Sequence, residues 1–125
     1  MKRLILRSNL IFSVVFSFVF AYAQLPAHYN TPEYQYQMAM ELLQKKQYGS
    51  AQEYFKFVYE NTSDRQYDMK SNSYFYQGYC AAKLNNNNAA FLLKDFIRKY
   101  PIHSYVPQAY FEVAKFYCAY NSRMH

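Results

Sequence analysis

A repeated arrangement of small and aromatic residues most constrains how this chain can fold. Three small residues, Ala39, Gly78 and Ala114, lie inside aromatic-rich helical patterns and are 39 and 36 positions apart. After the first two, a short polar turn leads to a second helical pattern that begins with Ala51 or Ala89. A period of this length is typical of stacked helical hairpins, in which each unit buries its apolar face against its neighbours. The sequence therefore predicts an all-α fold of stacked antiparallel helical hairpins.

Residues 1–23 have the pattern of a secretory signal peptide. Lys2, Arg3 and Arg7 precede an apolar segment, and Ala21 and Ala23 are the small residues that a signal peptidase reads. The apolar segment is shorter than the roughly 20 residues that a membrane-spanning helix needs. We therefore expect an N-terminal signal helix that is cleaved after Ala23 on export, so that membrane contact ends with cleavage; a retained signal anchor is the alternative.

Charge argues against a nucleic-acid partner. The whole chain has 14 basic and 8 acidic residues, and three of the basic ones lie in the signal, so the remaining eleven give the mature chain a net charge of +3. The pairs Lys45–Lys46 and Arg98–Lys99 each follow a helical pattern, where the helix dipole favours positive charge. No stripe of cations with interleaved base-stacking rings is present in the sequence. We expect no nucleic-acid binding.

Cap residues predict where the first three helices begin. Thr31 followed by Pro32 has the N-cap and first-turn proline of a helix start, so residues 24–32 form a polar leading segment. Gly49 or Ser50 is predicted to open the second helix. The third helix is predicted to be capped by an aspartate, and the two candidates are Asp64 and Asp68.

Turn residues separate the later helices. The run Asn85–Asn88 is predicted to end the third helix and cap the fourth, because Asn tolerates left-handed backbone angles. Pro101 ends the fourth helix and Pro107 opens the fifth. The helical repeats are thus predicted over residues 33–120, with an irregular tail at residues 121–125.

The third copy of the pattern is cut short after Tyr120. The residues that follow contain neither the turn nor the second helix of the earlier copies. Stacked repeats are usually stable only with three or more copies and a polar cap. We therefore expect an uncovered apolar flank around Val113 and Phe116. It implies either that the chain is the N-terminal fragment of a longer protein, which we favour, or that the chain self-associates.

With these residues in place, the chain resembles the tetratricopeptide repeat family. The family pattern has a small residue at the eighth position of each hairpin, a large one three later, a small one at the twentieth, a bulky one at the twenty-fourth and a proline near the thirty-second. The matching residues are Ala39, Leu42, Ala51, Phe55, Gly78, Ala89, Leu93, Pro101, Tyr110, Ala114 and Tyr117. Ala81 departs from the pattern because it is small where a large residue is expected. The resemblance covers residues 33–120 and implies a tetratricopeptide-like α-solenoid of about two and a half repeats.

A narrower resemblance concerns the segment Arg98–Phe111. It is similar to the repeat junction of exported tetratricopeptide proteins of the bacterial envelope, including the outer-membrane-protein assembly lipoprotein and the periplasmic coordinator of the Tol-Pal system. The chain departs from the lipoprotein members because no cysteine follows Ala23. The resemblance implies a location in the periplasm or at the periphery of the outer membrane.

The family resemblance also implies a binding surface. In the family, the first helices of successive hairpins line a concave groove, and the positions that face it are counted from the small residue. The partner-binding candidates carried over in this way are Tyr36, Met40, Phe75, Tyr79, Phe111 and Lys115. A ladder of rings can anchor an extended peptide or a helix. The alternative is packing between helices, which we weigh higher for Phe75 and Phe111, whereas we weigh binding higher for Tyr36 and Tyr79.

The sequence offers little support for catalysis. His28, His103 and His125 have no spacing that would join them in a metal site or place one beside a nucleophile. With Gly49 and Gly78 as its only glycines, the chain has no glycine-rich phosphate loop. We expect a chain that is not an enzyme and that needs no cofactor and no metal.

Cys80 and Cys118 are the only cysteines. Export would place them where disulfides persist, but they fall two and four residues after Gly78 and Ala114, an offset that turns the side chains to different faces. We expect two free, helix-packing cysteines, with a disulfide as the alternative.

Two functions follow from these patterns. The first is a non-catalytic protein-protein interaction scaffold of the bacterial cell envelope that binds a peptide or partner subunit on the concave face. The second is an exported carbohydrate-binding module in which exposed Tyr and Phe rings stack on sugars. The scaffold is favoured because the rings recur in phase with the repeat, whereas sugar sites usually add a cluster of acids or amides beside the rings.

Overall fold

The computed structural model describes residues 27–124, and it describes side chains from Tyr29 onward. This part of the chain is all-α, as predicted, and contains no strand. Its helices are α1 (Pro32–Gln44), α2 (Tyr48–Asn61), α3 (Tyr67–Lys83), α4 (Ala89–Lys99) and α5 (Val106–Met124). Short 3-10 helices at Ala27–Asn30 and Asp64–Gln66 precede α1 and α3. The predicted signal peptide and most of the leading segment lie outside the described residues.

The cap predicted for α1 is confirmed, whereas α2 begins earlier than predicted. The Thr31 hydroxyl accepts a hydrogen bond from the Tyr34 backbone N–H at 3.3 Å, and Pro32 follows it. After α1, Lys46 adopts a left-handed φ of 58°, which tightens the turn. As a result Gln47 is the N-cap of α2 and Tyr48 its first residue, so neither predicted opening residue begins the helix.

The aspartates predicted to cap α3 have other roles. Gln66 is the N-cap of α3, and its side chain makes no capping hydrogen bond. The Asp64 carboxylate accepts a hydrogen bond from Lys70 Nζ at 2.6 Å, which competes with a capping role. Asp68 lies inside the first turn of α3, where a negative charge is favoured by the helix dipole.

The asparagine turn ends α3 as predicted, but its side chains do not cap α4, because Asn88 is the N-cap residue and makes no side-chain capping hydrogen bond. Asn85 has a left-handed φ of 56°, and the Asn86 N–H returns to the Ala81 carbonyl at 2.9 Å, which ends α3. α4 then begins at Ala89 and stops at Lys99, two residues before Pro101, as the sequence predicted.

The predicted irregular tail is helical as far as it is described. α5 begins at Val106, one residue before the predicted start, and continues to Met124. Neither Gly nor Pro interrupts residues 121–124, and the Ser122 hydroxyl and Arg123 Nε both donate to the Ala119 carbonyl. These local bonds stabilise the last turn, and the helix therefore does not end at residue 120.

Two core clusters share α3. Each helix packs against the next one along the chain, and α3 also contacts α1 and α5. The first cluster joins α1, α2 and α3 through Ala39, Ala51, Phe55 and Cys80. The second joins α3, α4 and α5 and is centred on Phe75, Leu93, Phe96, Ala109 and Phe116. Because α3 contacts both α1 and α5, side chains from these three helices adjoin and form the surface that carries the candidate site.

The remaining sequence predictions on packing have mixed outcomes. Both cysteines are free, as predicted, and Cys80 is buried in the first cluster; the predicted packing role is wrong for Cys118, which is exposed. The prediction of an uncovered apolar flank around Val113 and Phe116 is wrong, because Phe116 is buried in the second cluster and Val113 is half-buried against it. Between residues 27 and 124, no helix is long and apolar enough to cross a membrane.

Candidate functional site

A cavity of about 140 Å³ lies between the C-terminal end of α3 and the middle of α5. Its lining includes Ala82, Lys83, Asn85, Glu112, Lys115 and Ala119. Small alanines on both helices leave room between the backbones, and the charged side chains border this space. The cavity is therefore a polar recess in a predominantly aromatic surface.

Glu112 is the only acidic side chain of α5, and it is buried between two lysines. It exposes 6% of its surface. Its carboxylate oxygens lie 4.0 Å from Lys83 Nζ and 3.7 Å from Lys115 Nζ. Both distances exceed the roughly 2.8 Å of a charge-assisted hydrogen bond, so the ammonium groups are attracted to the carboxylate without being locked onto it.

The electrostatics of this triad favour a further anion. Burial is the largest single effect on Lys83 and lowers its pKa, but the Glu112 carboxylate and the contacts with Tyr79 and Lys115 together outweigh burial and raise the pKa of Lys83. Two ammonium groups facing one carboxylate leave one uncompensated positive charge. Because Lys115 keeps 54% of its side chain exposed, this charge is accessible to a ligand.

Aromatic rings border the lysines on both helices. Lys83 Nζ lies 4.8 Å from the ring centroid of Tyr79, one turn earlier in α3. Lys115 Nζ lies 5.6 Å from the centroid of Phe111, one turn earlier in α5. These are cation–π distances, worth roughly 0.5–1 kcal/mol at exposed sites. The rings thus help to hold the lysine side chains over the cavity.

Tyr36 and Met40, predicted for binding, lie at the other end of the surface, where α1 meets α3. Both are half-buried and pack against the first cluster. The Tyr36 ring meets Phe55 edge-on at 6.0 Å. Its pKa is raised, chiefly by burial, although a hydrogen bond with Asn72 of α3 acts in the opposite direction. Each side chain therefore combines a packing role with a partly open surface.

Tyr79 connects the two ends of the surface. It is half-buried and packs against both core clusters. Its ring meets Tyr48 of α2 at 6.5 Å and Tyr76 of α3 at 6.4 Å, in both cases edge-on. It lies in the C-terminal half of α3, one turn before Lys83, and so between the α1 residues and the charged cavity.

Phe75 and Phe111 have opposite environments. Phe75 is fully buried, with the rings of Tyr105 and Phe96 at 4.7 and 5.5 Å, so it offers no surface to a partner and the packing alternative describes it. Phe111 exposes 61% of its surface, so packing does not account for it. The structure thus places Lys115 in the lining of the α3–α5 cavity, Tyr79 and Phe111 beside the lysines that border it, and Phe75 in the core.

Sequence reasoning missed two charged residues and a pair of hydroxyls. Lys83 lies four residues after Tyr79, a spacing that places both on one helix face and that could have identified it. Glu112 was missed because an acid on an amphipathic helix is expected to face solvent.

The hydroxyls of Tyr76 and Tyr105 lie 3.0 Å apart, and burial and this contact raise the pKa of Tyr76. Tyr105 lies in a loop, where helical spacing gives no signal.

Two further observations bear on function. Within residues 27–124, no group of three or more His, Cys, Asp or Glu side chains is placed to hold a metal ion. No family of known proteins, no curated protein and no solved structure matches the chain. The geometry of the surface formed by α1, α3 and α5 is therefore the basis for a proposed function.

Proposed function

We propose that this chain is a non-catalytic scaffold for protein-protein interaction, built from tetratricopeptide-like hairpins and exported to the bacterial envelope. It binds an acidic, extended peptide segment of a partner protein along the surface of α1, α3 and α5. The observation that carries the proposal is the uncompensated charge of Lys83 and Lys115 around the buried Glu112 carboxylate, next to the rings of Tyr79 and Phe111.

The dimensions of the surface suit a short peptide. Packed helices lie about 8–10 Å apart, so three of them span roughly 20 Å. An extended peptide advances about 3.3 Å per residue, so about six residues would cross this distance. An acidic residue of the peptide would face Lys83 and Lys115, and apolar residues would lie on Tyr79 and Tyr36.

The chemistry of the surface favours a peptide over a sugar. Aromatic rings are effective anchors for peptides because they lose little side-chain entropy on binding. A sugar site would need acids or amides that can accept hydrogen bonds from hydroxyl groups. The acceptors that line this cavity are the amide of Asn85 and the carboxylate of Glu112, which is buried and engaged by two lysines. Donor groups therefore predominate, which suits carboxylates.

Selection from a random peptide library displayed on phage tests the proposal. The whole chain is immobilised, the selected peptides are synthesised, and their affinities are measured by fluorescence anisotropy. We expect peptides enriched in Asp or Glu beside aromatic or aliphatic residues. Lys83→Gln and Lys115→Gln should each weaken binding about tenfold, the effect of losing roughly 1.4 kcal/mol.

A third variant separates charge from folding defects. Glu112→Gln keeps the shape of the side chain but removes the carboxylate that competes for the lysines, so we expect it to tighten binding of the acidic peptides. A merely structural role would predict weaker binding. Lys56→Gln, on an exposed position of α2, is the matched control and should change nothing. The proposal fails if no peptides are enriched, or if a glycan array yields ligands that these lysines do not affect.

A further inference from the structure

The outward face of α5 is apolar, and no other described helix covers it. Tyr110, Phe111 and Tyr117 expose 60%, 61% and 42% of their surfaces, and Ala114 between them is also exposed. By helical spacing this face lies opposite the side of α5 that buries Phe116 in the core. Contiguous exposed apolar residues of this kind mark sites of interaction with another protein.

Two helix contacts within this chain show how a helix packs against a face that carries a small residue. Ala39 of α1 is fully buried in a cluster with Ala51 of α2. Gly78 of α3 lies so close to α4 that a β-carbon there would be 3.0 Å from Leu93. Ala114 is the small residue of the third copy, yet it is exposed. The α5 face therefore continues a series of helix-on-helix interfaces in which the small residue marks the point of close approach.

A groove next to this face provides room for a bulky side chain. It has a volume of about 280 Å³ and lies between the start of α4 and the C-terminal half of α5. Its lining consists of Asn87, Ala90, Phe116, Tyr117 and Tyr120. A Leu or Phe on a docked helix, one turn from its own small residue, would reach this groove.

The charged side chains beside this face indicate that a helix docked on it would be acidic. Lys94 Nζ of α4 lies 3.0 Å from the Tyr117 hydroxyl and over its ring, and Lys115 Nζ of α5 lies 5.6 Å from the centroid of the Phe111 ring. The one acid of α5, Glu112, is buried on another side of the helix. A second copy of this chain would bring like charges together, whereas a helix with acidic flanks would complement them.

We propose that the face formed by Tyr110, Ala114 and Tyr117 docks an acidic amphipathic helix of a partner protein. A small residue of that helix crosses Ala114, and a bulky apolar residue enters the groove beside Tyr120. The face formed by Tyr110, Ala114 and Tyr117 borders the peptide site at Phe111 and Lys115 but includes neither Lys83 nor Glu112, so the two proposals can be tested apart.

Cys118 provides a built-in probe for the test. It is exposed and lies one turn after Ala114, whereas Cys80 is buried. The ligand probe is a synthetic peptide with the sequence of α2, Tyr48–Asn61, which has two Glu and one Lys and therefore a net charge of −1. With the whole chain, we expect a saturating concentration of the peptide to slow thiol labelling of Cys118 about tenfold. The bound peptide covers the thiol, so labelling occurs only when the peptide dissociates.

Matched variants locate the interaction. Ala114→Glu places a charged side chain at the crossing point and should weaken peptide binding at least about tenfold, whereas Gln37→Glu adds the same charge at an exposed position of α1 and should not. Ala51→Leu in the peptide, which enlarges its small residue, should also abolish protection of Cys118. Lys83→Gln, which affects the peptide cavity, should leave protection unchanged, so the two proposals fail independently.

Two results would overturn the inference. The first is unchanged labelling of Cys118 at peptide concentrations up to about 1 mM, the range of weak specific binding. The second is protection that grows with the concentration of the chain alone, which would identify the occupant as a second copy.

Discussion

Gly78 of α3 packs directly against Leu93 of α4, and the gap between them is too small for a side chain at position 78. A β-carbon built at Gly78 would be 3.0 Å from both Cγ and Cδ2 of Leu93 and 3.3 Å from Cβ of Leu92. Leu93 is fully buried, so it has little freedom to move away. The shared helix α3 therefore depends on a glycine for its approach to α4.

Replacing Gly78 by alanine should destabilise the chain. The higher helix propensity of Ala is worth up to about 1 kcal/mol, but overpacking a core costs about 1–3 kcal/mol, and the buried Leu93 makes the second effect larger. We expect a net loss of about 1 kcal/mol, measured by urea denaturation. Gly49→Ala is the matched control because no atom lies within 4 Å of its added β-carbon, and it should be neutral or stabilising. A stabilised Gly78→Ala would contradict this interpretation of the α3–α4 contact.

The hydroxyl of Tyr74 should stabilise the second cluster through Asp95. Tyr74 donates to the Asp95 carboxylate at 2.5 Å, and Lys99 Nζ lies 2.9 Å from the same carboxylate. The Tyr74 hydrogen bond and the basic neighbours hold the pKa of Asp95 well below its usual range. Tyr74→Phe should therefore cost about 1.5–3 kcal/mol at pH 7, the range for hydrogen bonds to charged groups.

The stabilisation from the Tyr74–Asp95 hydrogen bond should be lost at low pH. A carboxylate whose pKa is lowered on folding stabilises the native state above its unfolded pKa of about 4, and this contribution is lost as the pH falls further. The difference between wild type and Tyr74→Phe should thus shrink between pH 5 and pH 2 in urea denaturation. Tyr110→Phe, at an exposed position, should stay within about 0.5 kcal/mol of wild type. A difference that is constant with pH would show that the Tyr74 hydroxyl does not act through the charge of Asp95.

His103 should make the loop before α5 sensitive to acid. Its Nδ1 accepts the Tyr105 N–H at 3.1 Å, which requires an unprotonated nitrogen. Burial lowers the pKa of His103, although Asp68 acts in the opposite direction. The unfolded chain therefore binds the proton more readily, and stability should decrease as the pH falls below about 6.5. The urea midpoint should fall from pH 7.5 to pH 5.5, and His103→Gln should reduce this fall. A fall of the same size in both proteins would exclude His103 as the cause.

Local chemistry explains which parts of the fold could be predicted. The Thr31 cap and the left-handed Asn85 depend on the preferences of single residues, which the sequence states directly. The start of α2 was missed because Lys46, an unusual residue for a left-handed angle, closes the turn. The tail was missed because the end of a repeat pattern was taken as the end of a helix, although no residue there breaks one.

The candidate site was only partly predictable because burial is a tertiary property. Packing was weighed higher than binding for both Phe75 and Phe111, and this holds for Phe75, over which the Tyr105 ring packs at 4.7 Å, but not for Phe111, which is 61% exposed. Glu112 has the local sequence of a solvated acid, and it is buried only because α5 packs on α3 beside Lys83. Such contacts depend on the packing of α3 and α5, which helical spacing in one helix does not determine.

The two cysteines should differ strongly in reactivity. Burial raises the pKa of the Cys80 thiol to about 12. The thiolate is the reactive species, and at pH 8 such a thiol is ionised about a thousandfold less than one with the reference pKa near 8.5. A disulfide-exchange reagent at pH 8 should therefore react quickly with one thiol per native chain, Cys118, and with the second only after denaturation. Cys118→Ser should remove the fast phase entirely; its survival, or two fast equivalents in the native chain, would show that α1, α2 and α3 open readily enough to expose Cys80.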